Sequence, residues 1–424
     1  MKPVFIHNAR IVDPASNYDG PGAILFDETI QAIGPAIQAP AGAEVIDAGG
    51  KAIMPGLVDM RVTIGEPGAE HRETFKSAGR AAAAGGVTTL IMQPDTSPVI
   101  DDQSLVDFVL RRAGARADVR ILPAAALTKG LEGKAMTEMG LLAQAGAVMF
   151  SNGDAPIADS RLLRRLLSYS TAFDLLVAHR PEDPYLAQGG CMNEGALAAR
   201  MGLPGIPAAA ETIMAERDLT LAEITGGRLM LDMISAAVTL EPLRRAKDRK
   251  VRAHASVSVH HLTLNEQDVV DYRTFAKLSP PLRREDDRVA LAHAVSDGLI
   301  DVIVSGHDPR PAEEKRLPFD EAAPGASALE TLLPAALSLY HNGIVKLIDL
   351  VRAMTLNPAN ILGLPQGRLT KGALADVILV DLGKPYKLDS ENFRSKCKNS
   401  PFDDKLMQGV VTQTYVGGRR VFGD

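Results

Sequence analysis

Through the middle of this chain, short apolar runs rich in β-branched residues alternate with stretches of helical composition, and that alternation limits the possible folds severely. The β-type runs cover residues 56–63, 87–92, 119–127, 147–151, 175–179, 229–235, 251–258 and 301–305. Ala-, Leu-, Arg- and Glu-rich stretches separate them, such as 73–84, 105–116, 136–145, 161–169, 240–249 and 288–296. Near-continuous apolar strands joined by helical crossovers predict a parallel sheet buried on both faces. Eight such units over about 300 residues fit an α/β chain closed into a (β/α)8 TIM-type barrel. A doubly wound open sheet is the alternative, but no segment resembles the glycine-rich dinucleotide loop that often accompanies it.

The two ends of the chain read differently. Residues 3–6, 24–26, 29–33 and 44–47 are short alternating segments punctuated by Gly and Pro, and 376–380, 408–416 and 419–422 mirror them. Both sets predict small antiparallel strands. The expected organisation is one small β-sandwich domain built from both termini, residues 1–54 plus 366–424, around a barrel at 55–365.

Composition narrows the function classes. The 424 residues are 46% hydrophobic and 23% charged, ordinary for a globular protein. A net charge of −6, spread along the chain, gives no footprint for nucleic acid or anionic lipid. The start, Met-Lys-Pro-Val-Phe-Ile-His-Asn, reads as a strand rather than a signal peptide, and no run of about 18 apolar residues suggests a membrane span. Cys191 and Cys397 are too few for a disulfide framework or a zinc ribbon. A reducing, cytoplasmic location is the expectation, and a homodimer or larger oligomer is the statistical default.

In a (β/α)8 barrel the chemistry sits at the C-terminal ends of the strands. Strand one ends Asp59-Met60-Arg61-Val62-Thr63, which places Asp59, Arg61 and Thr63 on one face. The surrounding stretch Pro55-Gly56-Leu57-Val58-Asp59 … Gly65-Glu66-Pro67-Gly68 resembles the first-strand signature of the dihydroorotase branch of the cyclic amidohydrolases. The likeness continues in Met92-Gln93-Pro94-Asp95-Thr96, Phe150-Ser151-Asn152-Gly153-Asp154, Ala178-His179-Arg180-Pro181-Glu182-Asp183, Gly189-Gly190-Cys191-Met192-Asn193-Glu194-Gly195, Lys277-Leu278-Ser279-Pro280-Pro281-Leu282-Arg283 and Asn357-Pro358-Ala359, so it spans essentially the whole chain.

That resemblance implies a metal-activated water attacking a cyclic amide, yet the positions it points to carry other groups. Where the family has His-x-His, this chain has Arg61 and Thr63; a guanidinium offers no lone pair to zinc. Where it has a substrate-binding Arg, here is Gly65; where it has substrate-holding Asn residues, Asp95 and Ser279. The metal-bridging acidic pair becomes Asn152 and Gly153, with Asp154 one step late and expected to turn away. Met233 stands for the second-metal His, Gly306 for the general-base Asp, and Arg310 for a substrate-contacting His, within Gly306-His307-Asp308-Pro309-Arg310. His179 is the one metal-ligand position retained; its alternative reading is a hydrogen-bonded barrel histidine. The His260-His261 pair reads as structural, its members on opposite faces of a strand.

No catalytic residue and no cofactor are therefore expected at this vestigial pocket. The chain resembles the non-catalytic dihydroorotase-like subunit that accompanies aspartate transcarbamoylase in bacteria, which implies that catalytic subunit as partner. An active amidohydrolase with a single zinc on His179, Asp154, Asp232 and Asp308 is the second reading. A sensor binding an anion through Arg61 and Arg310 is the third. Arg61 is expected to pair with Asp59, Asp95 or Asp308, a buried ion pair standing where the metal would.

Overall fold

The computed structural model describes residues 2–423. Eight parallel strands form the barrel in chain order: Leu57–Val62, Val87–Met92, Arg120–Ala126, Met149–Ser151, Leu176–His179, Arg228–Leu231, Ala253–Ser258 and Val302–Val304. Each falls within or one residue beyond a run read from sequence. The first and second strands are buried at every position, as a sheet covered on both faces requires. The first and last strands approach across the seam, where Val62 bridges His307 and the Thr63 N–H donates to the His307 carbonyl at 2.8 Å.

Local signals set the helices. Phe75–Ala84 starts at a reciprocal cap between Thr74 and Ser77, and Gln103–Arg116 starts where Asp102 accepts from the Ser104 N–H. The 18-residue helix Ala208–Thr225, absent from the stretches named above, ends at Gly226 with φ +72°. The apolar filling is aliphatic and Ala-rich, and the molecule has no Trp.

Both termini build one eight-stranded sheet. Leu406–Val416 pairs with Arg419–Phe422 and with Val377–Lys387, which pairs with Ala52–Pro55; these continue through Val4–Asp13, Tyr18–Phe26 and Ile30–Gly34. The sheet is mixed rather than purely antiparallel: Val4–Asp13 takes Glu44–Asp47 and Ala52–Pro55 as parallel neighbours. Its inner residues, among them Ile6, Ile24, Phe26 and Tyr415, form a core of their own.

Between Val377–Lys387 and Leu406–Val416 the chain leaves the sheet and reaches the barrel mouth. There Ser395 donates to the Glu73 carboxylate. The Asn399 amide donates to the Gly325 carbonyl at 2.9 Å and accepts the Arg310 N–H at 3.1 Å. The segment between these two strands of the terminal sheet therefore helps to shape the site.

Candidate functional site

Arg61 occupies the centre of the barrel mouth. Its side chain is 5% exposed, and Nη1 donates to Asp232 at 2.8 Å and to the Gln93 amide oxygen at 2.9 Å. Nη2 donates to Asp154 at 2.5 Å. Arg180 extends the network, donating to Asp154 at 2.9 Å, Glu182 at 2.8 Å and Ser279 at 2.7 Å. Burial disfavours both guanidinium charges, but the facing carboxylates outweigh it: Asp232 and Asp154 hold the Arg61 pKa above its ordinary value, and Asp154 and Glu182 do so for Arg180. Burial likewise tends to raise Asp154, yet Arg180 and Arg61 keep its carboxyl below the usual range. Asp154 is 41% exposed and Asp232 only 6%, so the Asp232 arm is the better shielded from water.

The expectation of an Arg61 ion pair holds, but its partners differ. Asp154 faces the guanidinium instead of turning away, because strand four ends at Ser151 and the chain passes Gly153 at φ +59° before Asp154. Strand alternation no longer applies there. Asp59 instead accepts the Arg61 and Ser305 backbone N–H groups, at 3.2 and 3.1 Å. Burial lifts the Asp59 carboxyl to about 6. Asp95 is lifted to about 6 by burial and by the nearby Asp154 charge, and its Oδ1 is buried without a partner. Asp308 is raised by burial and pairs with Arg310 at 2.6 Å.

The other expected site residues have structural partners. His179 Nδ1 meets Asp218 at 2.6 Å, while Nε2 accepts the Ile157 N–H at 2.9 Å, which engages its outward lone pair. Asn152 accepts from the Thr128 hydroxyl and donates to the Leu131 and Ala155 carbonyls. Met233 is buried with φ +56°, its N–H held by the Ser256 hydroxyl. His307 Nδ1 accepts the Ala328 N–H, and Nε2 lies 3.6 Å from Glu73. The His260–His261 pair lies on the short helix Val259–Thr263 rather than on a strand, because Ser258 ends strand seven and caps the helix. His260 stacks on Phe402 at 5.6 Å, and His261 donates to the Pro280 carbonyl. Burial pushes the two down to about 3 and about 4, so both are neutral.

This donor set does not fit a metal. His179, Asp154, Asp232 and Asp308 each have another partner, and Arg61 adds a fixed cation. Among the described residues no group of three or more His, Cys, Asp or Glu side chains is arranged to hold an ion. The cavity beside Arg61, Met233 and Gly306 is about 20 Å³, space for roughly one water. A second hollow of about 220 Å³ opens beside Thr63, Gly65, Asp95 and Arg310. The anion-binding role foreseen for Arg61 and Arg310 meets guanidinium groups already facing carboxylates.

Sequence reading missed Gln93, Arg180 and Asp218 as contributors. The first two lay within quoted motifs, but no motif spacing reports that an Arg one residue after His179 shares an acid with Arg61.

A family description, Dihydro-orotase-like, matches residues 50–238, and another, Amidohydrolase family, matches residues 208–421. A dihydroorotase of Syntrophus aciditrophicus is 40% identical over 99% of both chains. One of Ehrlichia canis is 40% identical over 98% of this chain and 94% of its own. Among solved structures, an L-hydantoinase (dihydropyrimidinase) of Arthrobacter aurescens superposes with TM-score 0.89 at 27% identity, covering 100% of this chain and 96% of that one.

Proposed function

We propose that this chain, which belongs to the dihydroorotase family of amidohydrolases, is a member without dihydroorotase activity that serves as a structural partner of the aspartate transcarbamoylase catalytic subunit in pyrimidine biosynthesis. The observation that carries the first half is the Arg61 guanidinium, buried between Asp232 and Asp154. Hydrolysis of a cyclic amide at neutral pH calls for a water whose pKa is drawn to about 7 by a metal. Arg61 supplies positive charge at the mouth but has no coordination site, so it neutralises carboxylates without activating water. Gly306 offers no side chain to take the water's proton.

The second half rests on the resemblance of these altered strand ends to the non-catalytic subunits, together with a fold that superposes on 96% of the L-hydantoinase chain. A barrel that keeps its architecture while its mouth is closed by ion pairs is suited to presenting a surface.

Purified protein supplied with zinc is expected to hydrolyse dihydroorotate no faster than background, beside a homologue with an intact His-x-His pair. Metal-dependent turnover would overturn the non-catalytic reading. Co-purification with the transcarbamoylase catalytic subunit tests the partnership; a transcarbamoylase equally assembled and equally stable without this chain would overturn it.

A further inference from the structure

Away from the barrel mouth, a cleft of about 360 Å³ lies where helix Leu332–His341 and the preceding loop meet the long hairpin of the terminal sheet. Its floor is apolar and partly aromatic, formed by Pro334, Leu388, Phe393 and Phe422. Its polar groups are unevenly matched. The acids that line it are occupied: Glu330 accepts the Arg394 and Ser395 backbone N–H groups, and Asp389 accepts from Glu391 and the Asn392 amide. Two donors are not. The Lys384 ammonium has no ion-pair partner, and the Tyr386 hydroxyl no hydrogen bond, among the described residues. The Arg394 guanidinium lies over the Phe422 ring at 4.7 Å and is paired with Glu330 at 3.5 Å, leaving its remaining N–H groups and its outer face toward the cleft. Burial raises the Tyr386 phenol to about 12, which keeps it a donor.

An apolar floor with a few convergent polar groups is the usual make-up of a small-molecule site, and the volume lies within the usual range of about 300–1,000 Å³. The Lys384 ammonium and the Tyr386 hydroxyl select for a ligand rich in acceptors, and guanidinium groups favour oxyanions. A guanidinium stacked on an aromatic ring also offers its plane to a second flat group. We propose that this cleft binds a small aromatic anion, a flat ring carrying a carboxylate or phosphate, with the ring against Phe393 and Phe422 and the oxyanion toward Arg394, Lys384 and Tyr386. The site is separate from the barrel mouth and independent of whether the mouth is catalytic.

The test is calorimetric titration of the full chain with 2-naphthoate, beside the cation naphthalen-2-ylmethylammonium. One naphthoate per chain is expected, with affinity at least tenfold weaker in Arg394→Ala and severalfold weaker in Lys384→Glu, and little binding of the cation. Lys384 is exposed and unpaired, so its variant keeps the fold even if Arg394→Ala does not. Absence of naphthoate binding at millimolar concentration, unchanged affinity in Lys384→Glu, equal binding of the cation, or loss of binding in Arg310→Ala (which would put the probe at the barrel mouth) would each overturn the proposal.

Discussion

Arg61 joins strand one to acids from two distant parts of the chain, and most of the cost of losing it falls on Asp232. Truncating one member of a buried ion pair leaves the other charge desolvated, typically at about 3–5 kcal/mol. Arg61→Ala is therefore expected to lower unfolding free energy by about 3 kcal/mol, read from urea denaturation. Arg61→Ala combined with Asp232→Asn should recover much of that loss; an additive double variant would remove the pair from this account. Asp95 carries the opposite lesson. Its carboxyl sits at about 6 in the fold and at about 3.9 in an unfolded chain. Between those values the native state holds more protons than the unfolded one, so this group's contribution falls as pH rises from 4 to 6 and stays lost above. Asp95→Asn is expected to stabilise the protein at pH 7.5, by on the order of 1 kcal/mol, with the advantage shrinking as pH falls below 6. Denaturation curves at pH 5 and 7.5 check the sign. Gly306 is constrained by both space and conformation. It has φ +63°, and a Cβ there would lie 3.1 Å from the Ser258 hydroxyl. Gly306→Asp should cost about 1 kcal/mol and restore no dihydroorotate hydrolysis.

At the scale of the element, the turn after strand four is latched to strand five by the Ile157 N–H on His179. That hydrogen bond uses the lone pair a metal would need, and Asp218 fixes the ring from the other side. Replacing Arg61, Thr63 and Met233 by His supplies three imidazoles but leaves the latch in place. Zinc bound by that triple variant is expected to remain well below one per chain by atomic absorption, with folding verified by circular dichroism. Stoichiometric zinc would mean that the 153–158 turn yields readily. Here the sequence was a partial guide. Gly153 and Asp154 were visible as departures, but a turn just beyond a strand does not keep the strand's alternation, so the direction of Asp154 was not legible. Adjacent His260 and His261 failed as strand residues for a related reason: the apolar run ends at Ser258, which caps a helix, so the pair lies beyond the strand.

Across the whole molecule, the segment running from Asp389 to Asn399 couples the terminal sheet to the strand-eight loop. Asn399 is 3% exposed and bonds Gly325, Arg310 and Ser327 at once. Asn399→Ala leaves buried groups unpaired, at about 1–3 kcal/mol. Faster amide exchange is expected across residues 306–327, with the far strands unchanged; unaltered exchange there would detach the segment from the mouth's order. The sequence by itself determined the eight barrel strands, the terminal sheet's use of both chain ends, and the identities at the mouth: Arg61, Asn152, Met233 and Gly306 are read directly, and their donor chemistry follows from side-chain type. Tertiary structure alone decided that Arg61 meets Asp154 and Asp232 rather than Asp59, Asp95 or Asp308, that His179 turns to a backbone N–H, and that the space beside Met233 is only about 20 Å³. Chemical type is carried by each residue alone, whereas pairing needs groups 93 and 171 positions apart in sequence brought to one point. Barrel closure sets that distance, and no local pattern encodes it.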